Sequence, residues 1–204
     1  MIEEPGVVHV VDDDDSFRTA VARLLGAAGY EVHTYASAGD YLLACQPGTS
    51  GCLLLDLRMP GPSGLDLQQA LTRTEDRLPI VFLTAQGDIA SSVRAMKSGA
   101  IDFLTKPVDK DVLLEAVHNA LARGRREQAL RDQAHTWQQR YDTLTPRERE
   151  VLSQVVAGKR NKQIAASLSA SERTVKAHRA HIMAKMGATT LAELIRSTER
   201  WQSA

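Results

Sequence analysis

The sequence predicts two domains of different fold class, an α/β doubly wound five-stranded parallel sheet followed by an all-α four-helix domain. Short apolar segments alternate with helical patterns over the first half, as in parallel sheets. The second half contains only helical patterns, each with start and stop signals. The charge divides in the same way, since residues 1–122 carry a net charge of −8 and residues 141–204 a net charge of +5. A basic second domain favours a nucleic-acid partner.

Five short apolar segments predict the strands of the sheet. Parallel strands that are buried on both faces read as continuous apolar segments bounded by turn-forming or charged residues. The third segment ends at Asp56, before a loop of Pro, Gly and Ser, and is expected to be a central strand. The five segments are residues 7–11, 30–35, 52–56, 80–84 and 101–105.

Helical patterns separate the predicted strands. Ser16 is expected to begin the first helix, with Asp14 and Asp15 either capping it or facing solvent. Gly99 is expected to end the fourth helix. The other helical patterns cover residues 37–44, 65–71 and 89–97, and a long one begins at Asp109.

Polar side chains follow four of the predicted strands. The carboxyl ends of parallel strands meet at one edge of the sheet, where α/β folds bind ligands. Three carboxylates at that edge repel one another, so a divalent cation such as Mg²⁺ is expected with them. A carboxylate nucleophile, a cation, a hydroxyl donor and an ammonium are the groups that phosphoryl transfer requires. These residues are Asp12, Asp13, Asp56, Thr84 and Lys106.

The motif set of the first half resembles that of response-regulator receiver domains, which have a flavodoxin-like fold. The motifs are Asp12-Asp13, Asp56 before Met-Pro, Thr84, Phe103 and Lys106-Pro107, and the resemblance covers roughly residues 5–122. It implies that Asp56 is the phosphoacceptor. It also implies a Mg²⁺ site, with Mn²⁺ as an alternative ion, formed by Asp13, Asp56 and the backbone carbonyl of Arg58, with Asp12 acting through water.

The same resemblance assigns roles to three further residues. Thr84 and Lys106 are implied to contact the phosphoryl oxygens. Phe103 matches the aromatic switch residue that rotates inward when Thr84 moves, and a plain core position is the alternative for this side chain. The Lys-Pro bond of the family is usually cis, which implies a cis peptide between Lys106 and Pro107.

Residues 123–140 predict a helical linker that is rich in Gln and Arg. The last helix of the first domain is expected to end near Leu121, and Gly124, which costs about 1 kcal/mol in a helix, is a candidate hinge. The alternative is one helix that continues through this segment and pairs with a second copy as a coiled coil. The predicted domains are residues 1–122, 123–140 and 141–204.

Four short helices are predicted after the linker. The segments 145–148 and 190–193 are both capping boxes, and the first has proline at its first helical position. Asn161 and Ser171 are expected to cap the two helices between them, and Gly187 to end the third. A tight turn at residues 169–170 predicts a helix-turn-helix unit.

The third of these helices has an outer face of small and basic residues, opposite its apolar face. Alanines allow close approach to the major groove and can contact thymine methyl groups, while Arg and Lys reach guanine or phosphate. The alternative is an amphipathic helix of a protein-interaction domain. The outer face and its rim include Arg173, Lys176, Ala177, Ala180 and Lys185.

The motifs of the second half resemble a LuxR-type output domain, and the whole chain resembles the FixJ-like branch of the NarL/FixJ response regulators. The motifs are residues 144–152, Gly158, and residues 161–165 and 174–179. One position departs from the NarL pattern, because a base-reading lysine there corresponds to Ala180. The resemblance implies that Lys176 and Ala177 read bases and that Asn161, Lys162, Thr174 and Arg179 contact phosphates.

The resemblance implies a two-component transcriptional regulator, not an enzyme with a separate substrate. A cognate sensor histidine kinase passes a phosphoryl group to Asp56, the chain forms a homodimer, and the dimer binds two half-sites of promoter DNA one helical turn apart. RNA polymerase is a further candidate partner. The implied dimer contacts are Val93, Ala95, Met96 and Ala100.

Other features exclude some classes of function. No apolar segment approaches the ~18 residues that span a membrane, and the N-terminus has no secretory pattern, so a cytoplasmic protein without membrane contact is expected. A Mg²⁺-dependent phosphotransferase or phosphatase is one alternative, although no GxxxxGK[ST] loop supports it. A DNA-binding regulator that acts without phosphorylation is the other.

Overall fold

The computed structural model describes residues 6–45, 49–73, 78–85 and 89–202. The chain forms two compact units, residues 1–127 and residues 128–204. The first combines a parallel sheet with helices and the second is helical, as the sequence predicts. Among the described residues, none of the helices combines the length and the apolar character that a bilayer-spanning segment needs.

The sheet contains five parallel strands: β1 Val7–Val11, β2 Glu31–Tyr35, β3 Cys52–Asp56, β4 Ile80–Thr84 and β5 Asp102–Thr105. Their order is β2-β1-β3-β4-β5, so β3 is central, and both β3 and β4 are buried along their whole length. The register pairs Val11 with Leu55 and Asp56 with Leu83. The carboxyl ends of β1, β3 and β4 therefore lie side by side at one edge.

Helices cover both faces of this sheet: α1 Asp15–Ala27, α2 Ala38–Ala44, α3 Gly64–Thr72, α4 Ile89–Lys97 and α5 Lys110–Asp142. α1 and the first turns of α5 pack on one face. α2, α3 and α4 pack on the other. This alternation is the doubly wound arrangement expected of strands that are joined by right-handed helical crossovers.

The first helix begins one residue earlier than predicted. Asp14 is its N-cap, and one carboxylate oxygen accepts hydrogen bonds from the backbone N–H groups of Ser16 (2.9 Å) and Phe17 (3.1 Å). Asp15 is the first helical residue and forms an ion pair with Arg18. Capping by Asp14 is confirmed, and its hydrogen bond from the Phe17 N–H fixes the backbone position of Phe17 in the first turn of α1.

Helix α5 does not end near Leu121, so that prediction is wrong. It continues to Asp142, which agrees with the alternative of a single helix. Its early residues pack in the core of the first unit. Farther along, its exposed face carries ion pairs such as Arg123–Glu127 (2.9 Å), and opposite charges four residues apart stabilise a helix. Coiled-coil pairing of this helix stays a prediction.

Gly124 lies inside α5 because of its packing, and it is not a break in the helix. A Cβ atom at this position would lie 2.9 Å from Cγ of Pro79. Only glycine therefore lets the helix approach this loop of the first unit so closely. The interpretation of Gly124 as a hinge is not supported by the helix bounds.

Two glycine substitutions in helices should have opposite effects. A Cβ added to Gly26 in α1 would meet no atom within 4 Å, whereas a Cβ added to Gly124 would meet Pro79. We expect Gly26→Ala to stabilise the first unit by up to about 1 kcal/mol and Gly124→Ala to destabilise it despite the same gain in helix propensity. Scanning calorimetry of both variants measures this, and an equal stabilisation by Gly124→Ala would contradict the packing argument.

The second unit contains four further helices: α6 Pro146–Val156, α7 Asn161–Ser167, α8 Glu172–Met186 and α9 Leu191–Gln202. Val151, Ile164, Val175 and Ile182 form the centre of its core. A short turn joins α7 to α8, and Ser169 there adopts a positive φ of 50°. The predicted helix-turn-helix is therefore present.

The predicted caps of this unit are correct at most positions. Thr145 and Glu148 form the capping box of α6, and Ser171 caps α8 by accepting a hydrogen bond from the N–H of Thr174. Gly187 ends α8 in the left-handed conformation, with φ of 64°. Asn161 is not a cap, because its side-chain oxygen Oδ1 accepts a hydrogen bond from the Arg179 guanidinium (2.8 Å) and the N-cap position is the preceding residue.

The last turns of α5 belong to the helical unit. Trp137 and Tyr141 stack on each other with ring centroids 4.9 Å apart, and Trp137 stacks on Trp201 of α9 at 4.1 Å. Arg140 also donates a hydrogen bond to the carbonyl oxygen of Met186, the last residue of α8 (2.9 Å). We call Trp137, Tyr141 and Trp201 the aromatic cluster. It fastens α5 to the core of this unit.

An ion pair between the buried carboxylate of Glu148 and the exposed side chain of Lys185 links α6 to α8. Glu148 is only 3% exposed, and its carboxylate accepts a hydrogen bond from the ammonium of Lys185 (2.7 Å) and another from the N–H of Thr145 (2.8 Å). The hydrogen bond from Lys185 is the main reason that the pKa of Glu148 falls to about 2, and the bond from Thr145 acts in the same direction. The carboxylate therefore stays charged at any ordinary pH.

This ion pair predicts an acid-dependent loss of stability in the helical unit. The pKa of Glu148 is about 2 in the folded chain against 4.5 for an ordinary glutamate, so folded Glu148 binds protons less readily. Its contribution is therefore complete above pH 4.5 and is lost as the pH falls towards 2. Both tryptophans lie in this unit, so their fluorescence reports its unfolding. We expect Glu148→Gln to be less stable than the wild type at pH 7, and its stability to change less between pH 7 and pH 2. Glu150→Gln is the control, and its stability should follow the wild-type pH dependence.

Candidate functional site

Three carboxylates meet at the carboxyl edge of the sheet. Asp12 follows β1, Asp56 ends β3, and oxygens of Asp12, Asp13 and Asp56 lie within 4.8 Å of one another. Asp12 is fully buried and Asp56 is 7% exposed, while Asp13 faces solvent. The sequence prediction that the strand ends bring these groups together is confirmed for their positions.

Lys106 brings a positive charge into this cluster. Its backbone N–H donates a hydrogen bond to the carbonyl oxygen of Thr84 (2.7 Å), which fixes the loop after β5 beside the end of β4. Its ammonium donates to Asp12 Oδ2 at 2.6 Å and lies 3.3 Å from Asp56 Oδ2. The peptide between Lys106 and Pro107 is cis, as the resemblance predicted.

Burial raises the pKa of the Asp56 carboxyl above its usual range. The positive charge of Lys106 opposes this effect, and the negative charge of Asp12 adds to it. The backbone N–H of Arg58 donates a weak hydrogen bond to Asp56 Oδ1 (3.4 Å), which also favours the charged form. Asp56 is therefore a carboxylate held at some energetic cost in a largely buried position.

The donor set fits a hard divalent cation. Three carboxylates against one ammonium leave two excess negative charges, and carboxylate oxygens are the ligands that Mg²⁺ prefers. Both oxygens of Asp12 already have protein donors, since Oδ1 accepts from the N–H of Asp14 (3.0 Å) and Oδ2 from Lys106. This arrangement agrees with an indirect role for Asp12 and leaves exposed Asp13 as the accessible carboxylate.

Thr84 and Phe103 lie next to the cluster along the sheet. Thr84 ends β4 and is 1% exposed, so it is a buried residue at the same edge of the sheet as Asp56. Phe103, in β5, is half-buried, and its ring centroid lies 6.1 Å from that of Phe82. Both positions suit the predicted roles, and the alternative of a packing role for Phe103 is equally consistent with this contact.

A second candidate site lies on α8. Its outer face is solvent-exposed at every predicted base-facing position, and the apolar residues Val175, Ile182 and Met186 are buried on the opposite side. Lys162 at the start of α7 is also exposed. This face can enter a DNA groove without unfolding any part of the core. The exposed positions are Arg173, Thr174, Lys176, Ala177 and Ala180.

Models of two protein families match the chain. The response regulator receiver domain matches residues 8–118, which include the carboxylate cluster and Lys106. The luxR family of bacterial regulatory proteins matches residues 142–198, which include α8.

Nodulation protein W of Bradyrhizobium diazoefficiens is 44% identical over 95% of this chain and 85% of that protein. The transcriptional regulatory protein FixJ of Rhizobium meliloti is 41% identical over 93% of both chains. The chain is a response regulator of the NarL/FixJ type. This response regulator therefore combines a receiver domain with a LuxR-type DNA-binding domain, and its relatives are regulators of transcription.

Solved structures agree with this assignment. The response regulator StyR superposes with a TM-score of 0.85 and 45% identity, covering 95% of this chain and 98% of that one. Full-length FixJ from B. japonicum superposes with a TM-score of 0.59 and 36% identity, covering 98% of both chains. The family consists of transcriptional response regulators and not of conventional enzymes. A kinase partner and DNA follow from its two-domain composition.

Two predicted dimer contacts of the response regulator are wrong. Ala95 is fully buried and Ala100 is 5% exposed, and both pack in the core between α4 and the sheet. Val93 and Met96 are 44% and 45% exposed, so they remain available. Sequence reasoning missed Ile89, which is 84% exposed and lies on the same side of α4, four residues before Val93. The spacing from Ile89 to Val93 (four residues) and from Val93 to Met96 (three residues) places all three on one helix face, and this pattern could have identified Ile89.

One predicted DNA contact, Lys185, also makes contacts within its own domain. The ammonium of Lys185 is bound to the buried carboxylate of Glu148 and to the carbonyl oxygen of Thr143 (3.1 Å), so Lys185 serves the fold of the DNA-binding domain. Helical spacing placed it at the border of the outer face, where its direction was ambiguous. Arg179 is half-buried against Asn161, which leaves a fixed guanidinium beside the start of α7.

Proposed function

We propose that this response regulator takes up a phosphoryl group on Asp56 from a cognate sensor histidine kinase. The observation that supports the proposal is the position of the Asp56 carboxylate. It is largely buried, lies 3.3 Å from the Lys106 ammonium, and has oxygens of Asp12 and Asp13 within 4.8 Å. An oxygen of Asp56 attacks the phosphorus, the P–N bond to the kinase histidine breaks, and its electron pair returns to the imidazole. The chain itself processes no separate substrate.

The surrounding side chains have distinct tasks in this proposal. Lys106 neutralises charge on the phosphoryl oxygens, and the Thr84 hydroxyl donates a hydrogen bond to one of them. Asp13, Asp56 and the backbone carbonyl of Arg58 hold Mg²⁺ or, as an alternative, Mn²⁺, with Asp12 acting through water. The bound cation supplies further neutralisation of the phosphoryl charge. Phe103 acts as the switch that follows Thr84.

The output step of the proposal uses the exposed faces of α4 and α8. Phosphorylation pairs two receiver domains through Ile89, Val93 and Met96, whose side chains form an apolar stripe that costs free energy in water. The two α8 helices then bind half-sites of promoter DNA one helical turn apart, and RNA polymerase is a further candidate partner. We infer a cytoplasmic location, with a receiver domain that ends within α5 and a DNA-binding domain that includes the last turns of α5.

The exposure and charge of the side chains support the proposed DNA contacts. The contacts to base edges are assigned to Lys176, Ala177 and Ala180, with Arg173 beside them. Contacts to the phosphate backbone come from the exposed Lys162 and Thr174 and from the Asn161–Arg179 pair.

A Mg²⁺ titration tests the cation site. We expect Asp13→Asn to weaken Mg²⁺ binding by about tenfold or more, because it removes the accessible carboxylate of the cluster. Calorimetric titration with MgCl₂ measures the affinity directly. Asp15→Asn is the matched control, since this neighbouring carboxylate pairs with Arg18 and lies outside the cluster. An Asp13→Asn affinity equal to that of the control would refute the proposed ligand set.

A further inference from the structure

The aromatic ring of Phe17 lies directly against the ammonium of the receiver pocket. Lys106 Nζ is 4.2 Å from the centroid of the Phe17 ring. The same nitrogen donates to Asp12 Oδ2 (2.6 Å) and lies 3.3 Å from Asp56 Oδ2. The Lys106 side chain is only 13% exposed, so little water reaches it. The ring and the two carboxylates therefore contact an ammonium that is largely shielded from water.

The position of the ring is fixed by the loop that follows β1. Asp12 Oδ1 accepts a hydrogen bond from the N–H of Asp14 (3.0 Å), and Asp14 Oδ1 accepts one from the N–H of Phe17 (3.1 Å). The ring of Phe17 contacts Lys106, and Lys106 returns to the other oxygen of Asp12. These contacts close a circuit of four residues, in which the acidic loop positions two of the three partners of the Lys106 ammonium.

We propose that Phe17 is a positioning residue for phosphoryl transfer, which holds the Lys106 ammonium between Asp12 and Asp56. This inference rests on the proposed function of Asp56. An ammonium over an aromatic face is attracted by the quadrupole of the ring, whose face is electron-rich, and the attraction increases where water is excluded. The ring is neutral, so its hold on Lys106 persists when the charge on Asp56 changes.

A packing role is the competing explanation. Phe17 also packs against the core formed by α1, α5 and the sheet, and any apolar side chain of similar volume would fill that space. The two roles differ in what they require of the residue. Packing requires an apolar volume, whereas positioning requires an aromatic face. Leucine supplies the first without the second, and tyrosine keeps the face.

The test compares Phe17→Leu and Phe17→Tyr in the full chain. The measurement is the initial rate of phosphorylation by acetyl phosphate with saturating MgCl₂, followed by intact-protein mass. We expect Phe17→Leu to slow the reaction roughly three- to tenfold and Phe17→Tyr to stay within about twofold of the wild type. Leu24→Ala is the control, because Leu24 lies two turns along α1 on the same core. It should keep the wild-type rate.

Each result decides between the two roles. A wild-type rate for Phe17→Leu overturns the inference, as does an equal slowing by Phe17→Leu and Phe17→Tyr. In a Lys106→Ala background, Phe17→Leu should have no further effect, since the partner of the ring is then absent; an undiminished effect there would also count against positioning. A wild-type chain that takes up no phosphoryl group would refute the proposed function itself, which is a separate and recognisable outcome.

Discussion

Asp56→Asn is expected to remain monomeric in the presence of Mg²⁺ and beryllofluoride, while the wild type becomes a dimer. Beryllofluoride stands in for the phosphoryl group on a carboxylate oxygen. The amide of Asn has no anionic oxygen to bind it, and the substitution also removes one of the three clustered carboxylates. Solution mass by light scattering, with and without the two additives, measures the difference. We expect complete loss of the additive-dependent dimer.

The control for this experiment is Asp40→Asn. Asp40 is an exposed carboxylate in the first turn of α2, outside the cluster, so its loss should leave dimer formation unchanged. Persistence of the additive-dependent dimer in Asp56→Asn would show that another group is the acceptor. A wild type that stays monomeric would favour a regulator whose phosphorylation, if any, acts without pairing receivers.

Ala180→Glu is expected to abolish DNA binding without unfolding the DNA-binding domain. Ala180 is exposed on the outer face of α8, opposite the buried residues Val175 and Ile182. A carboxylate at this position would be buried against phosphates and base edges without a partner, which costs roughly 3 kcal/mol or more. We therefore expect an affinity loss of at least about 100-fold.

Fluorescence anisotropy measures this loss on a duplex that the wild type has selected from a random DNA pool. Ala192→Glu is the matched control, because it adds the same charge at an exposed alanine of α9. The tryptophan fluorescence of both variants should match that of the wild type, since neither alanine contributes to the buried core. Equal binding by Ala180→Glu and the control would exclude α8 as the recognition helix.

The phosphoacceptor pocket was predictable from the sequence because topology alone assembles it. Parallel strands place their carboxyl ends at one edge, so Asp12, Asp56 and Thr84 converge whatever the details of packing. Lys106 follows the neighbouring strand and joins them for the same reason. The contact of Phe17 with Lys106 was not predictable, because it depends on the rotamers of two side chains from distant segments.

Most of the errors concern residues whose surroundings are set by partners distant in the sequence. Ala95 and Met96 are neighbours on α4, yet one is fully buried and the other 45% exposed. Lys185 lies at the border of two faces of α8, and its direction is decided by Glu148, thirty-seven positions earlier in the chain. Gly124 appeared to be a hinge because its packing partner, Pro79, is distant in sequence. Local patterns contain no information about such partners.

The aromatic cluster limits where a recombination junction between the receiver and the DNA-binding domain can fall. Trp137 and Tyr141 precede the segment that matches the luxR family, yet they stack within the helical unit, and Gln133 accepts a hydrogen bond from Arg200 of α9 (3.0 Å). A recombination junction directly after Tyr141 would remove two of the three rings of the cluster and expose Trp201. Viable chimaeras should therefore inherit α5 from about Gln128 onward together with the DNA-binding domain. The segment that must move as one piece then begins before residue 142, where the match to the luxR family starts.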